Sequence, residues 1–130
     1  MKDEPLWIER PLAEALHHDQ LRTYGGRWGI RDENLLESAL ARPRQRWSYE
    51  PDTDLCDLAA AYAFGIAKNH PFIDGNKRTA FAAMAVFLGL NEQPLRSDEP
   101  QAILTMLAVA AGEMEEAELA AWARENSEPR

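Results

Sequence analysis

His70-Pro71-Phe72-Ile73-Asp74-Gly75-Asn76-Lys77-Arg78 is a polar loop that runs directly into the apolar residues 79–90. Residues 80–88 are apolar without interruption, and the first Gly after them is Gly89. A run of that length reads as a helix apolar on every side, expected to form the buried centre of the fold. Asn76 is expected as its N-cap. The helix therefore starts at the loop, where free backbone N–H groups and the positive end of the dipole suit an anion such as a phosphate. Lys77 and Arg78 sit at the same end. Two cations there are electrostatically misplaced unless an anion joins them.

Working outward, Leu6-Trp7-Ile8 reads as a short strand or a packed arm. Pro11 opens a first helix over roughly 11–24, which Gly25-Gly26 stop. Asp32 caps a second helix carrying Leu35, Leu36, Ala39 and Leu40, and Pro43 is expected to end it. Arg42, Arg44, Arg46, Trp47 and Tyr49 then fall in a loop or short irregular helix. Asp54 caps a third helix with Leu55, Leu58, Ala59, Tyr62, Ala63 and Ile66 at a 3.6-residue period, up to Lys68-Asn69-His70. Beyond the central helix, Ser97 or Asp98 with Pro100 begins a fifth helix through Ile103, Leu104, Leu107, Ala108 and Ala111, with Gly112 as its C′ residue. Glu115 and Glu116 open a last helix with Leu119, Ala120, Trp122 and Ala123. No repeat, low-complexity segment or linker interrupts this order. The expectation is an all-α bundle of about six helices, with residues 1–130 as a single domain.

Composition narrows the function. A net charge of −8 argues against general DNA or RNA binding, which depends on neutralising phosphates. The single cysteine, Cys56, rules out an internal disulfide and a Cys-rich zinc module, and fits a reducing cytoplasm. No basic-then-apolar leader and no membrane-length apolar stretch is read in the sequence, so neither secretion nor membrane insertion is expected. His17-His18-Asp19 does not make a metal site, because neighbours on a helix point about 100° apart. A structural role is expected there, with His18 toward the Gly25-Gly26 turn.

The loop carries chemistry of its own. His70 can accept a proton near neutral pH. Asp74 supplies one hard oxygen, about what Mg²⁺ needs when phosphate oxygens and waters complete its shell. Gly75 lets backbone amides approach a ligand closely, and Asn76, Lys77 and Arg78 complete an anion cradle. A base beside a metal-bound phosphate suggests phosphoryl or nucleotidyl transfer to a hydroxyl. Each residue alone has a plainer use: His70 as a helix-end residue, Asp74-Gly75 as a turn, Lys77 and Arg78 as solvated charges. Their concentration against an apolar helix favours a site. No Gly-x-x-x-x-Gly-Lys-Ser/Thr loop occurs in the chain.

His70-Pro71-Phe72-x-Asp74-Gly75-Asn76-Lys77-Arg78 resembles the signature of the Fic superfamily, and more closely its Doc (death-on-curing) branch of toxins from toxin–antitoxin systems. Tyr24-Gly25-Gly26, Gly29-Ile30-Arg31-Asp32, residues 37–43, Ala59-Ala60-Ala61-Tyr62 and Ala111-Gly112-Glu113 add weaker likeness. The resemblance implies an all-α Fic-like fold with His70 as catalytic base and Asp74 as Mg²⁺ ligand. Gly75, Asn76, Lys77 and Arg78 would be the ATP- and phosphate-binding loop, Phe72 its apolar anchor, and Lys68 an assistant from the preceding turn. Fic adenylyltransferases have Gly where this chain has Lys77, and a second Arg where it has Phe81. Doc-type toxins are similar on both counts, which implies an ATP- and Mg²⁺-dependent protein kinase that phosphorylates a Thr or Ser of elongation factor Tu and arrests translation. The alternatives are a Fic-type adenylyltransferase and a catalytically silent Fic-fold binding protein. The Ser/Thr-x-x-x-Glu-Gly/Asn inhibitory pattern is absent, since Gly29 precedes Glu33-Asn34 and Ala121 precedes Glu125-Asn126. Restraint by a separate antitoxin, Phd-like or unrelated, is therefore implied, with Trp7, Trp28 and Trp47 as candidates for its surface or for peripheral packing.

Overall fold

The computed structural model describes residues 3–128. Among them it contains six helices, α1 (Arg10–Tyr24), α2 (Glu33–Tyr49), α3 (Leu55–Asn69), α4 (Asn76–Leu90), α5 (Glu99–Ala110) and α6 (Glu116–Glu125). Among the described residues extended pairing is limited to isolated bridges between Ile30 and Phe72 and between Leu95 and Ser127. The all-α expectation holds. None of the described helices is long and apolar enough to cross a membrane.

Local chemistry sets most boundaries. Asp32 accepts a hydrogen bond from the Leu35 amide, and Asp98 accepts one from Gln101. Asp54 and Asp57 form a reciprocal capping box, and at the start of α6 the Glu118 carboxylate accepts from the Glu115 amide at 2.9 Å. One boundary differs from expectation. Pro43 lies inside α2, buried, and the helix continues to Tyr49. A proline in that place denies the Ala39 carbonyl its amide partner, a cost of about 3 kcal/mol in a free helix. Tertiary contacts hold the last turns regardless. Arg42 and Arg46 both reach Glu116 of α6, Arg44 reaches Glu9, and Trp47 packs edge-on to Trp7.

The centre of the molecule also differs from expectation. α3 is buried at ten positions from Cys56 to Ala67, whereas Phe81, Ala82, Ala85 and Val86 of α4 are only half-buried. Small residues explain this, since Ala59, Ala60, Ala61, Ala63 and Ala67 let α2, α4 and α6 close on α3 from different sides. α4 is packed against α3 and contributes Ala80, Ala83, Met84, Phe87 and Leu88 to the same core.

The N-terminal piece is an arm, not a strand. Asn91 bonds both the amide and the carbonyl of Leu6, at 2.8 and 3.0 Å, and the Tyr62 hydroxyl accepts from the Ile8 amide at 2.9 Å. Trp7 stacks on Phe87. Of the three tryptophans outside the helical stripes, Trp7 and Trp47 pack at the edge of the core, and Trp28 is 68% exposed. α5 turns a different face inward from the one the sequence suggested. Ala102, Thr105, Met106 and Val109 are buried, Leu104 faces outward, and Ile103 and Leu107 are about half exposed and border a cavity at the start of α4.

Candidate functional site

The loop between α3 and α4 is tied down from three directions. Its first residue, His70, adopts the left-handed conformation (φ 50°, ψ 55°) that ends α3. Phe72 is buried, stacked face to face on His17 of α1 with ring centroids 3.8 Å apart. The Asn76 side chain closes the loop internally, accepting from the Phe72 amide at 3.0 Å and donating to the Phe72 carbonyl at 2.9 Å. Asn76 is thus not the N-cap of α4. Gly75 holds that place at φ 79°, and Asn76 is the first helical residue, with its amide turned back into the loop. A side chain at Gly75 would strain that backbone and crowd Leu21, 3.3 Å from a Cβ built there.

Asp74 is fixed at both ends. Its Oδ2 accepts from the Arg27 amide at 2.7 Å, and its carbonyl accepts from His17 Nε2 at 2.8 Å. Because a carbonyl can only accept, the proton of neutral His17 sits on Nε2. Burial pushes the His17 pKa below its usual 6.5, opposed by the Asp74 carbonyl bond. The structural histidine of α1 is therefore His17, whereas His18, expected to serve the Gly25-Gly26 turn, is exposed.

α4 begins without a side-chain cap, and its first intrahelical bond runs from the Thr79 amide to the Gly75 carbonyl. The residues of this helix start border a cavity of about 730 Å³ that His70, Asp74, Gly75, Asn76, Lys77 and Arg78 line together. That volume lies within the range of small-molecule sites. Phe81 and the α5 residues Ala102, Ile103, Met106 and Leu107 form an apolar side, so the cavity has one polar, cationic end and one hydrophobic wall. The Arg78 guanidinium lies 4.6 Å over the Tyr24 ring, and the Tyr24 hydroxyl donates to Glu99 across the opening. Lys68 is not brought to the cavity. Its ammonium lies over Phe64 and beside Gly112.

Several residues that shape the site were not singled out by sequence: His17 beneath Phe72, Arg27 beside Asp74, Glu99 at the opening, and Arg31 along the loop. The sequence pointed to a structural role for the His17-His18 pair but placed it on His18 and the Gly25-Gly26 turn, and Arg31 stood within a turn of weak family likeness. The signal that could have found them is their clustering around the loop, which exists only after folding.

The family model described as Fic/DOC family matches residues 7–88, a stretch that includes α1 to α3, the loop and most of α4. The chain belongs to the Fic/DOC family. Among curated proteins it is similar to a protein kinase doc from Escherichia phage P1, 35% identical over 100 residues, covering 77% of this chain and 79% of the relative. It is also similar to a toxin Doc from Mycolicibacterium smegmatis, 42% identical over 93 residues, covering 67% of this chain and 72% of that protein.

Proposed function

We propose that the chain is a Doc-type toxin of the cytoplasm, which transfers the γ-phosphate of ATP to a serine or threonine hydroxyl of elongation factor Tu and so arrests translation. A cognate small antitoxin would restrain it. The observation that carries the reading is the sharing of one cavity by a histidine, a carboxylate and the cationic, uncapped start of a helix. The names of the two relatives, a protein kinase and a toxin, support its two halves.

In this reading His70 takes the proton of the acceptor hydroxyl as its oxygen bonds to the γ-phosphorus. The bond from that phosphorus to the β–γ bridging oxygen breaks, and ADP leaves. Lys77, Arg78 and the α4 amides stabilise the charge on the phosphoryl oxygens. Asp74 would be the protein's oxygen ligand for Mg²⁺, whose chemistry when bound is to shield phosphate charge. The donor set fits an ion that arrives with the nucleotide. Among the described residues no group of three or more His, Cys, Asp and Glu could hold a metal by itself. Lys77 and Phe81, both lining the cavity, favour γ-phosphoryl over adenylyl transfer, since the general Fic pattern has Gly and Arg there.

The test is incubation of the protein with elongation factor Tu, Mg²⁺ and ATP labelled on either the γ- or the α-phosphate. Label from the γ position, lost on His70→Ala, is expected. Label from the α position would assign an adenylyltransferase, and no label from either would leave a binding protein.

A further inference from the structure

The most unusual backbone in the site is that of His70 itself. A residue with a side chain in the left-handed region is disfavoured by about 1–2 kcal/mol, and helices that end this way commonly use glycine. Something must hold His70 there, and the contacts around it converge on one side chain outside the loop. Arg31 Nε donates to the His70 carbonyl at 2.6 Å, and Arg31 Nη2 donates to the Asn69 carbonyl at 2.7 Å. The Arg31 backbone amide donates to the next carbonyl, that of Pro71, also at 2.7 Å. Three successive carbonyls, two before the His70–Pro71 bond and one after it, are thus gripped by a single residue.

Arg31 is itself well placed. Gly29 accepts from the Ile73 amide at 3.0 Å, Ile30 bridges to Phe72, and Asp32 caps α2, so the segment is aligned along the loop at several points. The guanidinium lies at the C-terminal, negative end of α3, where its charge is favoured and its planar fork can serve two carbonyls together. Arg31 does not line the cavity. Its contacts with the site run through the backbone of residues 69–71.

We infer that Arg31 is the positioning residue for His70: it locks the left-handed turn that ends α3 and so aims the imidazole into the cavity, governing the rate of transfer but not the affinity for nucleotide. The inference rests on the reading of His70 as the base. Nucleotide affinity is carried on the other side of the loop by α4, which is anchored separately through Asn76, Phe72 and His17.

The experiment compares Arg31→Met, Arg31→Lys and Arg31→Ala with His70→Ala in full-length protein. It reads phosphoryl transfer, ATP affinity by calorimetry, and the His70 ring signals by NMR without nucleotide. Arg31→Met is expected to lower kcat by roughly 10- to 100-fold, the scale of a misplaced catalytic group, with the ATP Kd changed by less than about 3-fold and the His70 signals shifted or broadened. Arg31→Lys keeps the charge without the fork, so it is expected to fold and recover only part of the rate. Guanidinium ion added to Arg31→Ala is expected to restore part of it too. Arg31→Ala combined with His70→Ala is expected to be no slower than His70→Ala alone. Full rate in Arg31→Met while His70→Ala is inactive would overturn the inference, as would equal losses of rate and ATP affinity. If His70→Ala itself transfers phosphate normally, the proposed function fails, and unchanged His70 signals in Arg31→Met would then separately dispose of the positioning claim.

Discussion

At the scale of single residues, the loop is held by buried polar contacts whose form depends on Asn76. The residue type was legible in sequence, but its use was not. A cap would bond amides of the following helix, whereas this side chain reaches back to both backbone groups of Phe72. Asn76→Ala leaves those two groups without partners in a buried place, so a loss of roughly 2–4 kcal/mol is expected in urea unfolding. Hydrogen exchange at the Phe72 amide is expected to accelerate in the folded protein, and an unchanged rate there would favour a simple capping role. Gly75 was readable as a turn residue because Asp-Gly favours turns, whereas the anchoring role of Phe72 was implied by the family resemblance alone.

Among the elements, α5 is the clearest case where pattern and packing part. Ile103, Leu104 and Leu107 are larger than the alanines beside them, so apolar size alone selects that face. The helix is instead held by its other face. Met106 and Val109 are 4% and 0% exposed, whereas Leu104 is 67% exposed. Leu104→Lys is therefore expected to leave stability within about 0.5 kcal/mol, while Met106→Ala costs roughly 2–5 kcal/mol, both measured by chemical denaturation. Equal effects would mean that the outward face is covered in solution. α2 shows the converse. Pro43 is a sound stop signal, overruled because Arg42, Arg46 and Trp47 find partners on α6 and the N-terminal arm that no local rule contains.

For the whole molecule, Tyr62 joins the arm to the middle of the bundle. Burial pushes its pKa up to about 12, against a usual value of 10.0. The sign follows from linkage: the unfolded chain releases the phenolic proton first as pH rises, so this contribution is intact below pH 10 and lost as pH climbs toward 12. The expected loss is at most about 3 kcal/mol. Tyr62→Phe is expected to lower stability at neutral pH, because the Ile8 amide loses its acceptor, and to flatten the decline between pH 10 and 12. Denaturant melts at neutral pH and across pH 10 to 12 would register both. By itself the sequence determined the helical class, the capping residues Asp32 and Asp54, the choice of Ser97 or Asp98 for α5, and the nine-residue stretch that carries the family likeness, because caps, periods and motifs are encoded by near neighbours. Only the tertiary structure decided that α3 is the centre, that α2 passes through Pro43, which face α5 buries, and that Arg31 and His17 serve the loop. Each of those depends on groups from distant parts of the chain meeting, and neither spacing nor propensity records which distant groups will meet.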